Sequence, residues 1–392
     1  MIKPMSLVLS AATICVAMAA AVANLYLPTD PLAAASLFTD KGCDRCHSIE
    51  GQGGTFGPDL ARSELEGSLL DVVALMWNHS PQMTQMQHDL RLGRAVFAKT
   101  ELAELISYVY FIAYFDKPGD IAAGRHVFSR KGCSNCHRVA GSGNEIGPDL
   151  TSIKKYVSPI FLAQEMWNHG SQIRAKMREL HIAWPTFEGK EISDLMAFLR
   201  DASTVTDPER IFMRPGNPQT GQKLFRNKGC ITCHRVFGVG TAIGPDLRNS
   251  TFHKSVTSIA AVMWNHGPVI WDKMAELGLK RPIFRDNEMA DVAAFLYFLR
   301  FYEREGDAPR GEMLFQQKGC YRCHHFGPSE VDGSISLSFA HDSITALDVA
   351  AEMWNDAAVM ARGMTMKHME WPRIARGELN DLIEYILKRG RP

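Results

Sequence analysis

The sequence has no excess of either charge and almost no long hydrophobic runs. Its 43 Lys and Arg residues balance its 43 Asp and Glu residues, which argues against a nucleic-acid-binding surface. One apolar segment near the N-terminus is the only stretch of membrane-spanning length, so a multi-span membrane protein is excluded. There is also no glycine-rich phosphate loop. The 392 residues, 46% of them hydrophobic, indicate a folded protein of two to four domains.

Cysteine is arranged in a regular pattern. Eight of the nine cysteines form four C-x-x-C pairs, and a histidine directly follows each pair. Two thiols at this spacing can each form a thioether to a vinyl group of one porphyrin, and the adjacent imidazole can then bind the iron. Zinc would need ligands in fours, and a redox dithiol has no use for the histidine. The sequence therefore predicts four covalent haem c groups, one per motif.

The residues of the four motifs take two predicted roles. The predicted thioether cysteines are Cys43, Cys46, Cys133, Cys136, Cys230, Cys233, Cys320 and Cys323. The predicted proximal iron ligands are His47, His137, His234 and His324.

The N-terminal segment carries a targeting signal. Lys3 is followed by an uncharged run over residues 5–27 that contains Ala21-Val22-Ala23. A charged start, an apolar centre and an A-x-A site predict a secretory signal peptide over residues 1–23. An uncleaved anchor to about residue 27 stays open, because the run is long enough to span a bilayer. Either way we expect a periplasmic or extracytoplasmic protein, soluble or membrane-anchored. Cys15 lies in this segment without a partner and is predicted to be an apolar filler.

Aligning the chain on its C-x-x-C-H motifs reveals four repeats, numbered 1 to 4 below, whose histidines are 90, 97 and 90 residues apart. A small residue and a phenylalanine precede each motif. Met-Trp-Asn follows it, and a last predicted helix carries an aromatic residue. The small residues are Ala34, Gly124, Gly221 and Gly311, and the aromatic residues of the last helix are Tyr108, Phe198, Phe295 and Tyr385. Repeats 1 to 3 also contain Gly-Pro-Asp-Leu, with Pro58, Pro148 and Pro245.

With these motifs, each repeat resembles a class I c-type cytochrome domain, an all-α fold around one haem. The resemblance implies that the first helix crosses the last at the small and aromatic residues. It also implies that the proline carbonyl of Gly-Pro-Asp-Leu accepts the free N–H of the proximal imidazole. The implied domains are residues 31–116, 120–203, 217–302 and 308–392, with a linker over 204–216. Because this linker is the longest connection, we expect repeats 1 and 2 to form one tightly coupled pair and repeats 3 and 4 another.

The second axial ligand departs from the family pattern. The family's methionine stands shortly before the last helix, but this position is Arg or Trp here, and neither residue binds haem iron. These four residues are Arg94, Trp184, Arg281 and Trp371. The Met-Trp-Asn segment offers other candidates at 0, 3, 7 and 11 residues from its methionine, all on one helical face. We call these positions offsets. The ligand is therefore expected from this helix.

We favour offset 11, which is Met177, Met274 and Met364 in repeats 2 to 4. In repeat 1 that offset is Gln87, and we favour Met86 over Met83. Two alternatives stay open: the motif's own methionine (Met76, Met166, Met263, Met353), or the histidine at offset 3 in three repeats (His79, His169, His266).

Two further features of this segment carry predictions. Pro81 and Pro268 predict that a second helix begins at offset 5, with proline in its first turn. The tryptophans of Met-Trp-Asn are predicted to pack against the porphyrin face, with an indole N–H free to bond a haem propionate. These tryptophans are Trp77, Trp167, Trp264 and Trp354.

A haem with both axial positions filled passes single electrons and cannot bind a substrate at its iron. We therefore expect an electron carrier and not an enzyme. It would act between a membrane or periplasmic donor and an acceptor, with a membrane respiratory complex or another cytochrome as partner. The alternative is a haem-bearing subunit of a redox enzyme complex, or an enzyme with one open-site haem. Repeat 4 is the place to expect it, because it lacks Gly-Pro-Asp-Leu and has Asp356 at offset 3. A structural wire that stacks into polymers is a third possibility.

Overall fold

The chain is seen in a computed structural model. It describes residues 27–63, 65, 67–98, 100–112, 118–152, 159–204, 216–249, 255–301, 304–327, 334–341 and 343–391. The predicted signal peptide and Cys15 lie outside the described residues, as does nearly all of the predicted linker. Within the described residues, none of the helices combines the length and the apolar composition needed to cross a membrane.

Each repeat contributes three helices to the described structure, which confirms the all-α class. The first helices are Ala35–Asp40, Ile121–Arg130, Pro218–Asn227 and Ala308–Gln317. The middle helices are Leu69–Asp89, Pro159–Glu179, Val256–Glu276 and Ala346–Met366. The last helices are Glu101–Ile112, Glu191–Asp201, Glu288–Phe298 and Glu378–Gly390.

Short elements connect the first and middle helices. Each cysteine pair begins on a 3-10 turn: Cys43–Arg45, Cys133–Asn135, Cys230–Thr232 and Cys320–Arg322. Ser48–Ile49 pairs antiparallel with Gln52–Gly53, and Arg138–Val139 with Ser142–Gly143. In repeat 4, His324–His325 pairs in parallel with Ile335–Ser336. Repeat 4 thus differs from the others directly beside its cysteine motif.

The first helix crosses the last at the small residue in repeats 2 to 4. A Cβ on Gly124 would lie 1.9 Å from the carbonyl oxygen of Asp194 and 2.8 Å from the Cβ of Phe198. Gly221 and Gly311 meet their last helices in the same way. Only glycine permits this approach of two helix backbones. In repeat 1, alanine stands at this position and the first helix has 6 residues, against 10 in repeat 2.

The repeats pair differently from the sequence expectation. Repeats 2 and 3 belong to one compact unit, which includes residues 113–300. Repeats 1 and 4 form the other, residues 31–112 with 301–392. The expected pairing of repeat 1 with 2 and of 3 with 4 is therefore wrong. Linker length limits only how far apart consecutive repeats can lie, whereas the contact faces of the middle helices decide which repeats meet. The predicted domain boundaries stay predictions.

The middle helices of repeats 1 and 3 are continuous through their prolines. Pro81 lies inside Leu69–Asp89 and Pro268 inside Val256–Glu276, so the predicted second helix at offset 5 is wrong. Proline removes the N–H that would bond the carbonyl four residues earlier. These carbonyls belong to tryptophans, and each accepts a hydrogen bond from an indole of the paired repeat. Trp371 donates to the carbonyl of Trp77 at 3.0 Å, and Trp184 to that of Trp264 at 3.4 Å. The paired repeat satisfies the freed carbonyl, and the helix continues.

Candidate haem-binding sites

The proximal side has one geometry in repeats 1 to 3. The Nδ1 atoms of His47, His137 and His234 lie 3.0, 2.9 and 3.1 Å from a proline carbonyl oxygen. The three acceptors are Pro58, Pro148 and Pro245. A proton on Nδ1 donated to this carbonyl leaves Nε2 free to bind iron and makes the imidazole a stronger ligand. The structure thus brings these six residues together as the resemblance implies.

The glycine of Gly-Pro-Asp-Leu packs flat on the proximal imidazole. A Cβ on Gly147 would lie 2.5 Å from Cε1 of His137, and Gly57 and Gly244 have the same relation to their histidines. The amide of Gly147 also donates to the carbonyl of Cys136 at 2.7 Å. The backbone therefore holds the ring from one side, and a larger residue would displace it.

The first cysteine of each motif is half-buried. Burial raises the pKa of its thiol to about 11 in all four repeats, at Cys43, Cys133, Cys230 and Cys320. These surroundings disfavour the charged thiolate. Addition of the thiol to a vinyl group gives a neutral thioether, which the same surroundings accept. The residues present fit a covalently attached porphyrin.

In repeat 2, the proximal residues and the middle helix line one cavity. It has a volume of about 470 Å³ and is lined by both cysteines of the motif, His137 and apolar side chains. Offsets 0, 3, 7 and 11 of the middle helix all line it: Met166, His169, Ile173 and Met177. Met177 is 8% exposed, whereas the His169 side chain is 61% exposed and bonds Gln172 at 3.2 Å. Among the candidates that can bind iron here, offset 11 is more enclosed than offset 3.

The other distal candidates differ in exposure. Met274 and Met364 are half-buried at offset 11. In repeat 1, Met86 is 36% exposed, whereas Met83 is half-buried. The Oε1 atom of Gln87 is buried and has no hydrogen-bond partner among the described residues. The exposure of Met86 favours Met83 as the candidate in repeat 1.

The Met-Trp-Asn motif binds the paired repeat. In repeat 3, the indole of Trp264 donates to the carbonyl of Pro185 at 2.7 Å. Asn265 exchanges two hydrogen bonds with the backbone of Phe187, at 2.9 and 2.8 Å. The reverse contacts run from Trp167 to the Pro282 carbonyl at 2.9 Å and from Asn168 to the Phe284 backbone at 2.8 and 3.0 Å. We call these three hydrogen bonds per repeat the Trp–Asn clasp.

Repeats 1 and 4 form the same clasp. Trp77 donates to the carbonyl of Pro372 and Trp354 to that of Ala95, both at 2.9 Å. Asn78 pairs with the backbone of Ile374, and Asn355 with that of Phe97. The prediction of an indole N–H free to bond a haem propionate is therefore wrong. Each indole instead satisfies a carbonyl of the paired repeat, in the segment where the family carries its methionine ligand.

The residues at the former methionine position also contact the paired repeat. The ring of Trp184 stacks on Trp264 at 4.0 Å, and Trp371 on Trp77 at 4.2 Å. The guanidinium of Arg94 lies 4.1 Å from the Trp354 ring centroid and donates to its carbonyl at 3.0 Å. Arg281 donates to the carbonyl of Asn168 at 2.7 Å. At the position where the family has its methionine ligand, these four residues contact the paired repeat.

A signal in the sequence could have shown part of this arrangement. Repeats 1 and 3 combine Arg at the former methionine position with proline at offset 5, as Pro81 and Pro268. Repeats 2 and 4 combine Trp with Ser171 and Ala358. Each repeat with proline is thus paired with a repeat whose tryptophan indole can donate to the carbonyl that the proline leaves free. The alternation predicts that an Arg repeat pairs with a Trp repeat, although not which one.

Repeat 4 has a different proximal loop. The amide of Ile335 donates to the carbonyl of Cys323 at 2.8 Å, the bond that Gly57 makes to Cys46 in repeat 1. The loop is one residue longer, so Ile335 takes the place of the glycine, not of the proline. Among the described residues, which leave out 328–333 of this loop, the buried Nδ1 atom of His324 has no hydrogen bond of normal geometry. Burial lowers the pKa of His324, while the Ile335 carbonyl and the charge of Asp356 oppose this shift.

Comparison with known proteins agrees with the geometry. The cytochrome c family model matches residues 121–203 and 218–299, which are repeats 2 and 3. These two repeats are similar to cytochrome c domains, a family whose chemistry is haem-based electron transfer. Repeats 1 and 4 share their C-x-x-C-H motif and their three helices. No solved structure matches the chain.

Proposed function

We propose that the chain is a tetrahaem electron-transfer protein with one haem c per repeat. The observation that carries the proposal is the repetition of one site in each repeat: a half-buried cysteine, a second cysteine three positions later, and an adjacent histidine. When bound, haem exchanges single electrons between ferric and ferrous iron. The protein's part is to hold the imidazole, keep water from the iron and supply the second ligand.

For the second ligand we propose Met177, Met274 and Met364. The support is the enclosure of Met177 in the cavity of repeat 2 and the equivalent position of the other two residues. In repeat 1 we propose Met83 in place of Met86, because Met83 is half-buried whereas Met86 is 36% exposed. Thioether ligands raise the reduction potential relative to two imidazoles.

The proposed setting is extracytoplasmic, with a possible membrane tether through residues 5–27. The proposed partners are a membrane respiratory complex or another cytochrome. The support is the N-terminal signal pattern and the single-electron chemistry of the sites, which requires a donor and an acceptor.

The haem count tests the central proposal. A pyridine haemochrome assay on the purified protein should yield four haems per chain. Replacing one cysteine pair, such as Cys320 and Cys323, should remove one of them. Fewer than four haems in the unmodified protein would contradict the proposal.

The ligand assignment has its own test. Ferric haem with a sulfur ligand shows a weak charge-transfer band at the red end of the visible spectrum. Replacing Met274 with alanine should remove one haem's share of this band and lower one reduction potential. Met263→Ala is the matched control in the same helix and should leave both unchanged. The opposite result would assign the ligand to offset 0.

A second candidate function concerns repeat 4 alone. His324 lacks the proline carbonyl that bonds the other three proximal imidazoles. The negative charge of Asp356, on the middle helix, opposes the lowering of the His324 pKa by burial. An open coordination site there would make repeat 4 the reactive haem of an enzyme. Carbon monoxide binding to the reduced protein separates the two functions, because a carrier with filled sites binds none.

A further inference from the structure

We propose that the sites of repeats 2 and 3 exchange electrons through Trp264, on which Trp184 stacks, and those of repeats 1 and 4 through the equivalent Trp77, on which Trp371 stacks. The proposal rests on the proposed function of the chain. It adds the order of exchange, which follows the contacts between repeats and not the order along the chain.

Trp264 lies between two sites. It belongs to the middle helix of repeat 3, yet its side chain lines the cavity of repeat 2, together with Pro185 and Phe187 of repeat 2 itself. In repeat 2, offsets 0 and 11 of the equivalent helix line that repeat's own cavity. The equivalent residues in repeat 3 are Met263, adjacent to Trp264 in the chain, and Met274. One helix therefore separates the two sites, with Trp264 on the side of repeat 2.

The contact joins a buried ring, Trp264, to a half-buried one, Trp184. Trp264 is 7% exposed, and its ring stacks on Trp184 at 4.0 Å with the planes 22° apart. The clasp holds this indole to the Pro185 carbonyl at 2.7 Å. Close-packed side chains in low-energy positions move little. Polar groups that are already oriented need little rearrangement when charge moves. Both conditions favour electron exchange across this contact.

The other unit contains a matched contact. Trp77 is 6% exposed and stacks on Trp371 at 4.2 Å with the planes 26° apart. Trp77 occupies in repeat 1 the position that Trp264 occupies in repeat 3, and a proline follows each at the same distance. Each unit thus has one stacked tryptophan pair at equivalent positions.

The proposed step transfers one electron and nothing else. With haem bound, one electron would leave the ferrous site of one repeat and reduce the ferric site of the paired repeat. No bond forms or breaks, no proton moves, and the indoles keep their oxidation state. The step needs no oxidant or reductant beyond the two sites.

The experiment measures exchange in the partly reduced holoprotein. Two-dimensional exchange NMR detects electron exchange through cross-peaks between oxidised and reduced haem signals, assigned with variants that lack one cysteine pair. In Trp264→Leu, exchange between repeats 2 and 3 should slow several-fold while that between repeats 1 and 4 is unchanged. Trp77→Leu is the matched control and should give the reverse. Trp264→Phe keeps a ring but loses the indole N–H, so exchange should remain close to the parent rate although the clasp is weakened.

The outcomes distinguish this proposal from the proposed function. If the parent protein lacks four reducible haems, the proposed function fails. If four haems are present and reducible but Trp264→Leu leaves the 2–3 exchange unchanged, only the tryptophan route fails. Faster exchange between repeats 1 and 2 than between 2 and 3 would overturn the proposed order. Equal slowing in Trp264→Phe and Trp264→Leu would assign the tryptophan a structural role only.

Discussion

The pair of repeats 2 and 3 and the pair of repeats 1 and 4 share one interface but differ at their sites. In repeats 2 and 3, both first helices cross at glycine and both imidazoles face a proline carbonyl. In the other pair, repeat 1 has a shortened first helix and repeat 4 has a rebuilt proximal loop. Both pairs nevertheless keep every hydrogen bond of the clasp. The contact between repeats therefore tolerates less change than the surroundings of the individual sites.

The two pairs also differ in the contacts that surround the clasp. Arg174 bonds both carboxylate oxygens of Asp272 at 2.7 Å in the 2–3 pair. The equivalent residues of the other pair are Ala361 and Gln85, which cannot form an ion pair. In the 1–4 pair, the carboxylate of Asp71 accepts the amide of Gly377 at 2.7 Å instead. The clasp is the same in both pairs, so these individual contacts are what differs between them.

The largest expected effect concerns the proximal glycine, which both repeats of the 2–3 pair have and which repeat 4 of the other pair replaces with Ile335. Gly147→Ala should displace His137, because the new Cβ would lie 2.5 Å from the ring. A displaced ligand opens the iron, so the reduced variant should bind one more carbon monoxide per chain than the parent. Ile335→Ala is the control in repeat 4, where the backbone already carries a side chain that is 57% exposed. It should bind no more than the parent, and an equal gain in both variants would remove the distinction between the loops.

The clasp should stabilise both pairs equally. Trp264→Ala and Trp77→Ala each remove a buried indole and leave a carbonyl of the paired repeat without its donor. Each should lower the free energy of unfolding by about 3–5 kcal/mol. Urea denaturation followed by tryptophan fluorescence and circular dichroism measures both. A loss in one variant less than half of that in the other would show that the two interfaces are not equivalent.

The haem of repeat 4 should have a distinct reduction potential. Among the described residues, His324 lacks the proline carbonyl that accepts from the other three proximal imidazoles, which weakens the imidazole and raises the potential, whereas the negative charge of Asp356 lowers it. Each effect is on the order of 1 kcal/mol, and a tenfold equilibrium shift is about 59 mV for one electron. Asp356→Asn should therefore raise this potential by tens of millivolts. A redox titration resolved by haem tests it, with His169→Asn as the control at the same offset in repeat 2. Four indistinguishable potentials in the parent would contradict the expectation.

The smallest effect belongs to the ion pair that only the 2–3 pair contains. The hydrogen bond from Arg174 lowers the pKa of Asp272. The stabilisation is complete above the ordinary carboxyl pKa and is lost as the pH falls through the lowered value. Because the Asp272 carboxylate is 64% exposed, the effect of Asp272→Asn on unfolding should be small, weaker in high salt and absent in acid. Gln85→Ala is the matched control and should show no such pH dependence. A difference for Asp272→Asn that persists in acid would exclude the ion pair as its cause.

The sequence by itself determined the candidate sites and the local fold. A cysteine pair and its histidine occupy three positions in five residues, and the helices follow from local periodicity and capping, so both can be predicted along the chain. The packing of Gly124 on the last helix and the bond from His137 to Pro148 were implied by the family resemblance, and the structure contains both, each within one repeat.

The pairing of the repeats was decided only by the tertiary structure. The sequence predicts that Trp264 packs within its own repeat. In the structure its indole N–H and its ring contact Pro185 and Trp184, about 80 positions earlier in the chain. The continuity of the helix through Pro268 has the same origin, because the hydrogen bond that replaces the lost one comes from Trp184. Because both pairs have the same clasp, its residues do not indicate which repeat pairs with which. The choice among them depends on the side chains that meet across the interface, such as Arg174 and Asp272 in one pair and Asp71 and Gly377 in the other.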